Sequence, residues 1–417
     1  MQNKLSEIWR AAVGRGALLA LACSPSLSLA KTLTLPEASR MLLAQHPQLQ
    51  EYRARLDAQQ AQTELAAQRP ALNLSLDSSE IAGTGSYQGV DSAQTTLALS
   101  SIWERGNQRQ TRQALASTQT ELLLTRQELQ RMQLLSALTS GFVQALAQQE
   151  HCRLQQDTQQ LKQQSLRLVQ ERVRKAAAPE AEQWRAQVAW LQAKQAYAAC
   201  QAELASRYQS LASLMGQEQV NFDQLQGELY SPKALAEPQD TSHSPMLALF
   251  AKERAAQEAE LASLQARSQT DVQWRLGVTH YAQSQDAALG LGVEIPLFTS
   301  LRNKPQLYGA QAQLQVLQAQ EQQARQQLLA EFAQAKRMRQ QSLAQAQSLS
   351  HDIIPLLERA YLQAQSAYQQ GRYSYSEWVN AGQELLNAKA QLIDASAQAW
   401  LSLVVIERLT STPSKGN

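Results

Sequence analysis

Aromatic side chains make up only 6% of this 417-residue chain and glycines number 16; the mean hydropathy is −0.41. Extended helices are easier to build from such a composition than one large globular core. No stretch is long and apolar enough for a transmembrane helix. The histidines His46, His151, His243, His280 and His351 share no ligand spacing, and no Ser-His-acid or paired-carboxylate constellation stands out. Gly83, Gly85 and Gly89 fall in a loop with no helix opening behind them, so they form no phosphate cradle. No basic patch with interleaved aromatics speaks for nucleic acid. An enzyme, a resident metal or cofactor, and a nucleic-acid partner all lack residues to support them.

What is present begins with an export signal. Lys4, Arg10 and Arg15 precede an apolar run from Ala17 to Ala22, and Ser28-Leu29-Ala30 puts small residues at −3 and −1 of a cleavage site between Ala30 and Lys31. Residues 1–30 therefore read as a signal peptide, and removing them leaves 35 basic and 35 acidic residues. Cys23 admits either acylation or loss with the signal.

The clearest strands lie between Val272 and Phe298. Val272, Trp274, Leu276 and Val278 alternate with polar residues or glycine, a polar turn follows, and Leu289, Leu291, Val293 and Ile295 alternate again. A second, weaker hairpin runs through Leu72, Leu74, Leu76 and, beyond a loop, Leu97 and Leu99. Each hairpin feeds a long run rich in Ala, Gln and Leu. From Pro305 to Gln370 such a helix would reach about 100 Å at ~1.5 Å per residue.

The plan is written twice. Ser101–Trp103 aligns with Pro296–Phe298 and Ala176 with Gly371, both pairs 195 residues apart. Residues 31–225 form the first repeat, with a helix, a β-hairpin at 71–102 and a helical hairpin at 106–215. A linker spans 226–244. The second repeat, 245–409, has its β-hairpin at 271–298 and its helical hairpin at 305–409; 410–417 is a tail. Trp190, Tyr197, Leu204 and Leu211 fall seven apart, as do Leu154, Leu161 and Leu168. The last helix carries two seams, Trp378, Leu385 and Leu392 beside Val379, Leu386, Ile393 and Trp400. Two seams suit a helix with a neighbour on each flank, as in a cylinder; one wide apolar stripe facing a single core is the alternative.

Strands of this length and alternation, with Tyr87, Tyr281, Trp103, Trp274 and Phe298 near their ends, suit a bilayer as the cover for their apolar faces. Four strands cannot close a barrel, so several copies must contribute, giving eight, twelve or sixteen strands. The fold class expected is mainly α with a small β part.

Three segments carry a resemblance to the TolC-type outer membrane efflux protein family, the outer membrane factors. They are Leu33-Thr34-Leu35-Pro36-Glu37-Ala38 with His46-Pro47, Gly292 to Phe298, and Tyr368 to Ser374. The resemblance covers residues 31 to about 409. Arg302 and Asn303 resemble the heavy-metal, CzcC-like branch. The resemblance implies a homotrimer with a twelve-stranded barrel in the outer membrane and an α-barrel in the periplasm. It implies a periplasmic adaptor (membrane fusion) protein and an inner membrane pump of the resistance-nodulation-division or a similar class as partners, and passive efflux of substrates, heavy-metal cations among the candidates. An exit duct for type I protein secretion shares this architecture; a soluble periplasmic coiled-coil scaffold needs no barrel.

The helix-helix turns are the candidate sites. Gly371 permits positive φ, and Ser374 or Ser376 can cap the next helix. The resemblance makes Gly371, Arg372, Tyr373 and Ser374, with Ala176 and Pro179 in the first repeat, an adaptor-docking tip; a plain turn is the alternative. It also places Glu377 in a ring of acids at a closed entrance, where convergence would raise the carboxyl pKa or bind cations. Asn380 replaces the second acid there, and an ordinary surface Glu is the alternative. Cys152 and Cys200 are equidistant from residue 176, so an antiparallel hairpin sets them at one height in an oxidising compartment. A disulfide and two buried thiols both fit.

Overall fold

The computed structural model describes residues 31–231, 241 and 244–410. The expected signal segment with Ala30 and Cys23, most of the 226–244 linker and nearly all of the tail lie outside the described residues.

A short strand, β1 (Thr32–Thr34), leads into α1 (Leu35–Gln45) and α2 (Pro47–Ala67). His46 breaks the helix because it precedes Pro47, a setting that favours extended backbone. Strands β2 (Asn73–Ser79) and β3 (Gln94–Trp103) follow. The helix α3 (Gln108–Arg174) then runs 67 residues, about 100 Å at ~1.5 Å per residue, and α4 (Glu180–Leu214) returns beside it. Beyond β4 (Gln224–Gln226) the plan repeats with α5 (Pro245–Arg267), β5 (Val272–Tyr281) and β6 (Asp286–Glu294). The descending arm is α6 (Thr299–Ser348), a five-residue π-turn (Leu349–Ile353) and α7 (Ile354–Gln369); α8 (Tyr375–Thr410) climbs back.

Two helical expectations need correction. The second long helix starts at Thr299, not at Pro305, which lies inside α6. Its first turn is held by other means: the Thr270 and Thr299 hydroxyls are 2.8 Å apart, and the Asn303 amide donates to the Arg267 carbonyl at 3.2 Å. The helix is also not uniform, because the π-turn precedes Pro355. A proline ring clashes with the carbonyl four residues back, and the wider turn is one way to relieve that clash.

The helices pack side by side in the order α4, α3, α8, then α6 and α7, with α5 and α2 against the upper part of α3. The buried residues of α8 fall into two clusters that succeed one another along the helix, and Val379 of one seam packs on the same cluster as Trp378 and Leu385 of the other. Trp378 and Leu385 are buried in a cluster toward the α3–α4 and α7–α8 turns, where Tyr361 and Tyr368 of α7 and Val169 of α3 join them. Ile393 belongs to a second cluster near mid-length, built on Leu42, Leu138, Phe142, Leu211 and Phe222.

That second cluster includes strands too short to show in the periodicity. β1 pairs with β4 in parallel, Leu33 opposite Leu225, and both leucines are buried. β4 spans the position where the sequence divides first repeat from linker. Gln149 binds it from α3, receiving the Leu225 N–H at 2.9 Å and the Tyr208 hydroxyl at 2.6 Å on the same amide oxygen.

Candidate functional site

The two hairpins join into one antiparallel sheet in the order β2-β3-β5-β6. Register places Leu76, Leu97, Val278 and Leu289 in one cross-strand row and Leu74, Leu99, Leu276 and Leu291 in the next. Below them Trp274 pairs with Val293, and Trp103 lies opposite Val272. These rows span roughly 20 Å along the strands at ~3.3 Å per residue. Among the described residues nothing covers this face: Leu74 is 71% exposed and Leu289 82%.

The opposite face is small and polar. Ser75, Asp77, Thr96, Ala98, Ser100, Gly277, Thr279, Gly290 and Gly292 alternate with the leucines. Arg275 reaches from β5 past β3 to an ion pair with Asp77 of β2 and donates to Ser75 Oγ at 3.2 Å. Thr96 and Thr279 hydroxyls meet at 2.9 Å. Gly277 is needed for close approach, since a Cβ there would meet the Ala98 Cβ at 3.1 Å. Strands β2 and β6 each have a partner on one side only, so both edges of the sheet are open among the described residues.

The far end of the helices is built from the two turns. At the second, Gly371 has φ +74°, its N–H donates to the Tyr368 carbonyl at 3.0 Å, and the Arg372 N–H reaches the Ala367 carbonyl at 2.8 Å. The first turn repeats this hydrogen-bond pair: Ala176 N–H to Val173 at 2.9 Å and Ala177 N–H to Arg172 at 2.8 Å. Both are Schellman closures, yet Ala176 enters the left-handed region, φ +53°, with a Cβ. Pro179 is the residue before α4, and its carbonyl accepts the Glu182 N–H at 3.0 Å.

Glu377 closes a capping box. Its carboxylate accepts the Ser374 N–H at 2.7 Å and the Ser374 hydroxyl at 2.8 Å, while Ser374 Oγ accepts the Glu377 N–H at 3.3 Å. Those bonds, the backbone one foremost, hold the carboxyl below the usual range. Thr34 and Glu37 build the same box at the start of α1. The Ser-x-x-Glu signature at 374–377 was there to find in the sequence. Asn380, Arg372 and Tyr373 are exposed.

Between the turns lies a cluster that the sequence reading missed. Tyr368 stacks on Trp378 with centroids 5.1 Å apart, and Tyr375 stands edge-on to both. The Arg172 guanidinium lies 4.4 Å over the Tyr368 ring, donates to the Tyr368 carbonyl, and donates to the Ala177 carbonyl at 3.0 Å. Glu182 accepts the Tyr368 hydroxyl at 2.8 Å. Burial and this carboxylate push the phenol well above its ordinary pKa. The first hairpin is thereby tied to the second at their shared end. Tyr375 and Trp378, three apart at the start of α8, and Tyr368 just before the turn were a visible aromatic signal; Arg172 and Glu182 were not, because they come from the other repeat.

Cys152 and Cys200 are joined by a disulfide, Cα atoms 5.5 Å apart. At the same height His151 meets Asp394 at 2.8 Å, linking α3 to α8. At the N-terminal end of the described chain, the Lys31 backbone N donates to the Asp223 carboxylate at 2.9 Å. Among the described residues no three His, Cys, Asp or Glu come together as a metal-ligand set, and no helix is long and apolar enough to cross a membrane.

No curated protein sequence matches the chain. A family model described as outer membrane efflux protein matches residues 241–411. Among solved structures, the outer-membrane channel OprN is similar with TM-score 0.77 and 20% identity, over 91% of this chain and 90% of that one. CusC gives 0.77 and 17%, over 90% and 91%. The outer membrane protein VceC from Vibrio cholerae gives 0.75 and 18%, over 91% and 96%. Residues 241–411 thus match the outer membrane efflux protein family, and the chain as a whole has the fold of these outer-membrane channels.

Proposed function

We propose that three copies of this chain close a twelve-stranded barrel through the outer membrane, continued by a helical α-barrel in the periplasm, and that the assembly passively conducts substrates outward as the exit duct of a tripartite efflux system. One observation carries the reading: a four-stranded sheet with an uncovered apolar face, a polar opposite face and two open edges. Open edges are not tolerated in hydrocarbon. Since β2 runs opposite to β6, the edge of one copy meets the edge of the next as an antiparallel pair. The count of three rests on the family resemblance.

A soluble coiled-coil scaffold would leave the leucine rows in water, a patch that marks a lipid or partner surface. The α3–α4 and α7–α8 turns form the end presented to the adaptor, with Gly371 to Ser374, Ala176 and Pro179 at its surface and Glu377 and Asn380 at the entrance. Cleavage after Ala30 would put the new α-ammonium of Lys31 on the Asp223 carboxylate, which supports processing there. Heavy-metal cargo rests on the Arg302–Asn303 resemblance, and Asn303 already has a local task at the end of α5.

Fractionation tests the core of the proposal. The protein should sediment with outer membranes, require detergent for release, and give stepwise conductance in a planar bilayer; recovery as a soluble protein without detergent would sink it. Metal sensitivity of a deletion strain, set against loss of a secreted protein, tells efflux from type I secretion.

A further inference from the structure

The end of the sheet that meets the helices carries cations without acidic partners. A cleft of about 1110 Å³ there is lined by Arg69, Leu72, Trp103, Arg105 and Arg109, among others. Its acids are already engaged. Glu104 pairs with Arg112, and Asp271 nearby accepts the Arg105 backbone N–H at 3.2 Å and the Gln108 amide at 2.6 Å. Arg109 is committed to the Ala67 carbonyl at 2.7 Å. The exposed guanidinium groups of Arg69 and Arg105 make neither a side-chain hydrogen bond nor an ion pair among the described residues.

Apolar groups flank these cations on the side of the leucine rows. Trp103 is 69% exposed and Leu72 65%. At the other edge of the sheet β6 runs into Leu297, Phe298 and Leu301, all exposed, followed by the exposed Arg302 and Lys304. Ring closure between copies brings these two edges together, so the two clusters fall at one end of the closed barrel. Aromatic side chains beside unanswered cations, directly below an apolar belt, are the chemistry of a headgroup layer: the rings occupy the interface while the guanidinium groups meet phosphate.

We propose that this rim binds the phosphate of anionic phospholipids in the leaflet nearer the helices, with Arg69 and Arg105 as the principal ligands and Trp103 against the acyl-glycerol region. The inference rests on the barrel reading. Charge complementarity decides the occupant, since a zwitterionic headgroup brings its own cation and an acyl chain alone would leave both guanidinium groups unanswered.

The test uses the purified full-length oligomer in neutral detergent, with phosphatidylglycerol, phosphatidylcholine or inorganic phosphate added and thermal unfolding and native mass spectrometry as readouts. Phosphatidylglycerol should raise the unfolding temperature by several degrees and remain bound in the mass spectrum; phosphatidylcholine and inorganic phosphate should do neither. Arg69→Gln with Arg105→Gln should lose most of that shift, and Arg105→Gln alone a part, which covers a double variant that assembles poorly. Equal shifts from phosphatidylcholine, a shift reproduced by inorganic phosphate, or full retention of lipid by both variants would overturn the proposal. If the protein needs no detergent at all, the barrel reading itself fails; a membrane channel indifferent to anionic lipid removes only this site.

Discussion

At the residue scale, the two turns make a controlled comparison. Both use the same pair of closing hydrogen bonds, but one places Gly371 and the other Ala176 in the left-handed region. A Cβ in that conformation costs about 1–2 kcal/mol, partly offset by the greater freedom that glycine loses on folding. Ala176→Gly should therefore steady the first turn, slowing amide hydrogen exchange across residues 172–180 by roughly 2- to 5-fold, about 0.5–1 kcal/mol. Gly371→Ala should do the reverse at the second turn. Unchanged exchange in both variants would mean that the turns are held from outside, through Arg172 and the aromatic cluster.

Glu377 gives a second residue-scale prediction, with its sign set by the capping box. Its folded pKa is lowered by the bonds from Ser374, so it binds fewer protons folded than unfolded. Its contribution is present above the ordinary carboxylate pKa and is lost as pH falls through the lowered value. Exchange at the start of α8 should accelerate on acidification through that window. Ser374→Ala should raise exchange there at neutral pH, at a cost of about 1 kcal/mol, and should only weaken the pH response, because the residue-374 N–H still reaches the carboxylate; Glu377→Gln should abolish it. A pH response that survives Glu377→Gln would assign the effect to another acid.

At the scale of elements, the Cys152–Cys200 disulfide crosslinks α3 to α4 across a sequence separation of 48. Restricting the unfolded chain over that separation is worth typically about 2–4 kcal/mol. Reductant should lower the unfolding temperature of the wild-type protein and expose two additional thiols, while Cys152→Ser with Cys200→Ser should be less stable and indifferent to reductant. Equal thiol counts with and without reductant would remove the bridge. The equal heights of the two cysteines could be read in the sequence, because both lie the same distance from residue 176 on an antiparallel hairpin, whereas their sharing a face, and so the bridge, could not. Long elements were legible for a similar reason: Leu289, Leu291 and Val293 repeat one period often enough to be unmistakable. Short or locally driven features were not. β1 and β4 are three residues each, below any period, and take their strand character from pairing Leu33 with Leu225. The start of α6 escaped because Pro305 reads as a helix beginning, whereas Thr270 and Arg267, distant in the pattern, hold the turn before it. The tip cluster joins residues nearly 200 apart, which no window along the chain can see.

At the scale of the whole molecule, the alternation in β5 assigns opposite fates to neighbouring side chains. Leu276 sits mid-belt in a row with Leu74, Leu99 and Leu291, while Thr279, three residues on, faces the polar side with Thr96. If lipid covers the leucine face, a cation at the middle of the belt costs about 2–4 kcal/mol, and a closed oligomer incurs it once per copy. If water or protein covers that face, the two positions differ far less. Leu276→Arg should therefore sharply reduce the heat-resistant oligomer seen on mild gels of the membrane fraction, whereas Thr279→Lys should leave assembly near wild type and alter ion selectivity in a planar bilayer. Arg275 already places one cation on the polar face, balanced by Asp77, so an added lysine enters an environment that accepts charge. Comparable assembly of the two variants, or a defect confined to Thr279→Lys, would show that the leucine rows do not face hydrocarbon, and the twelve-stranded barrel would have to be abandoned with them.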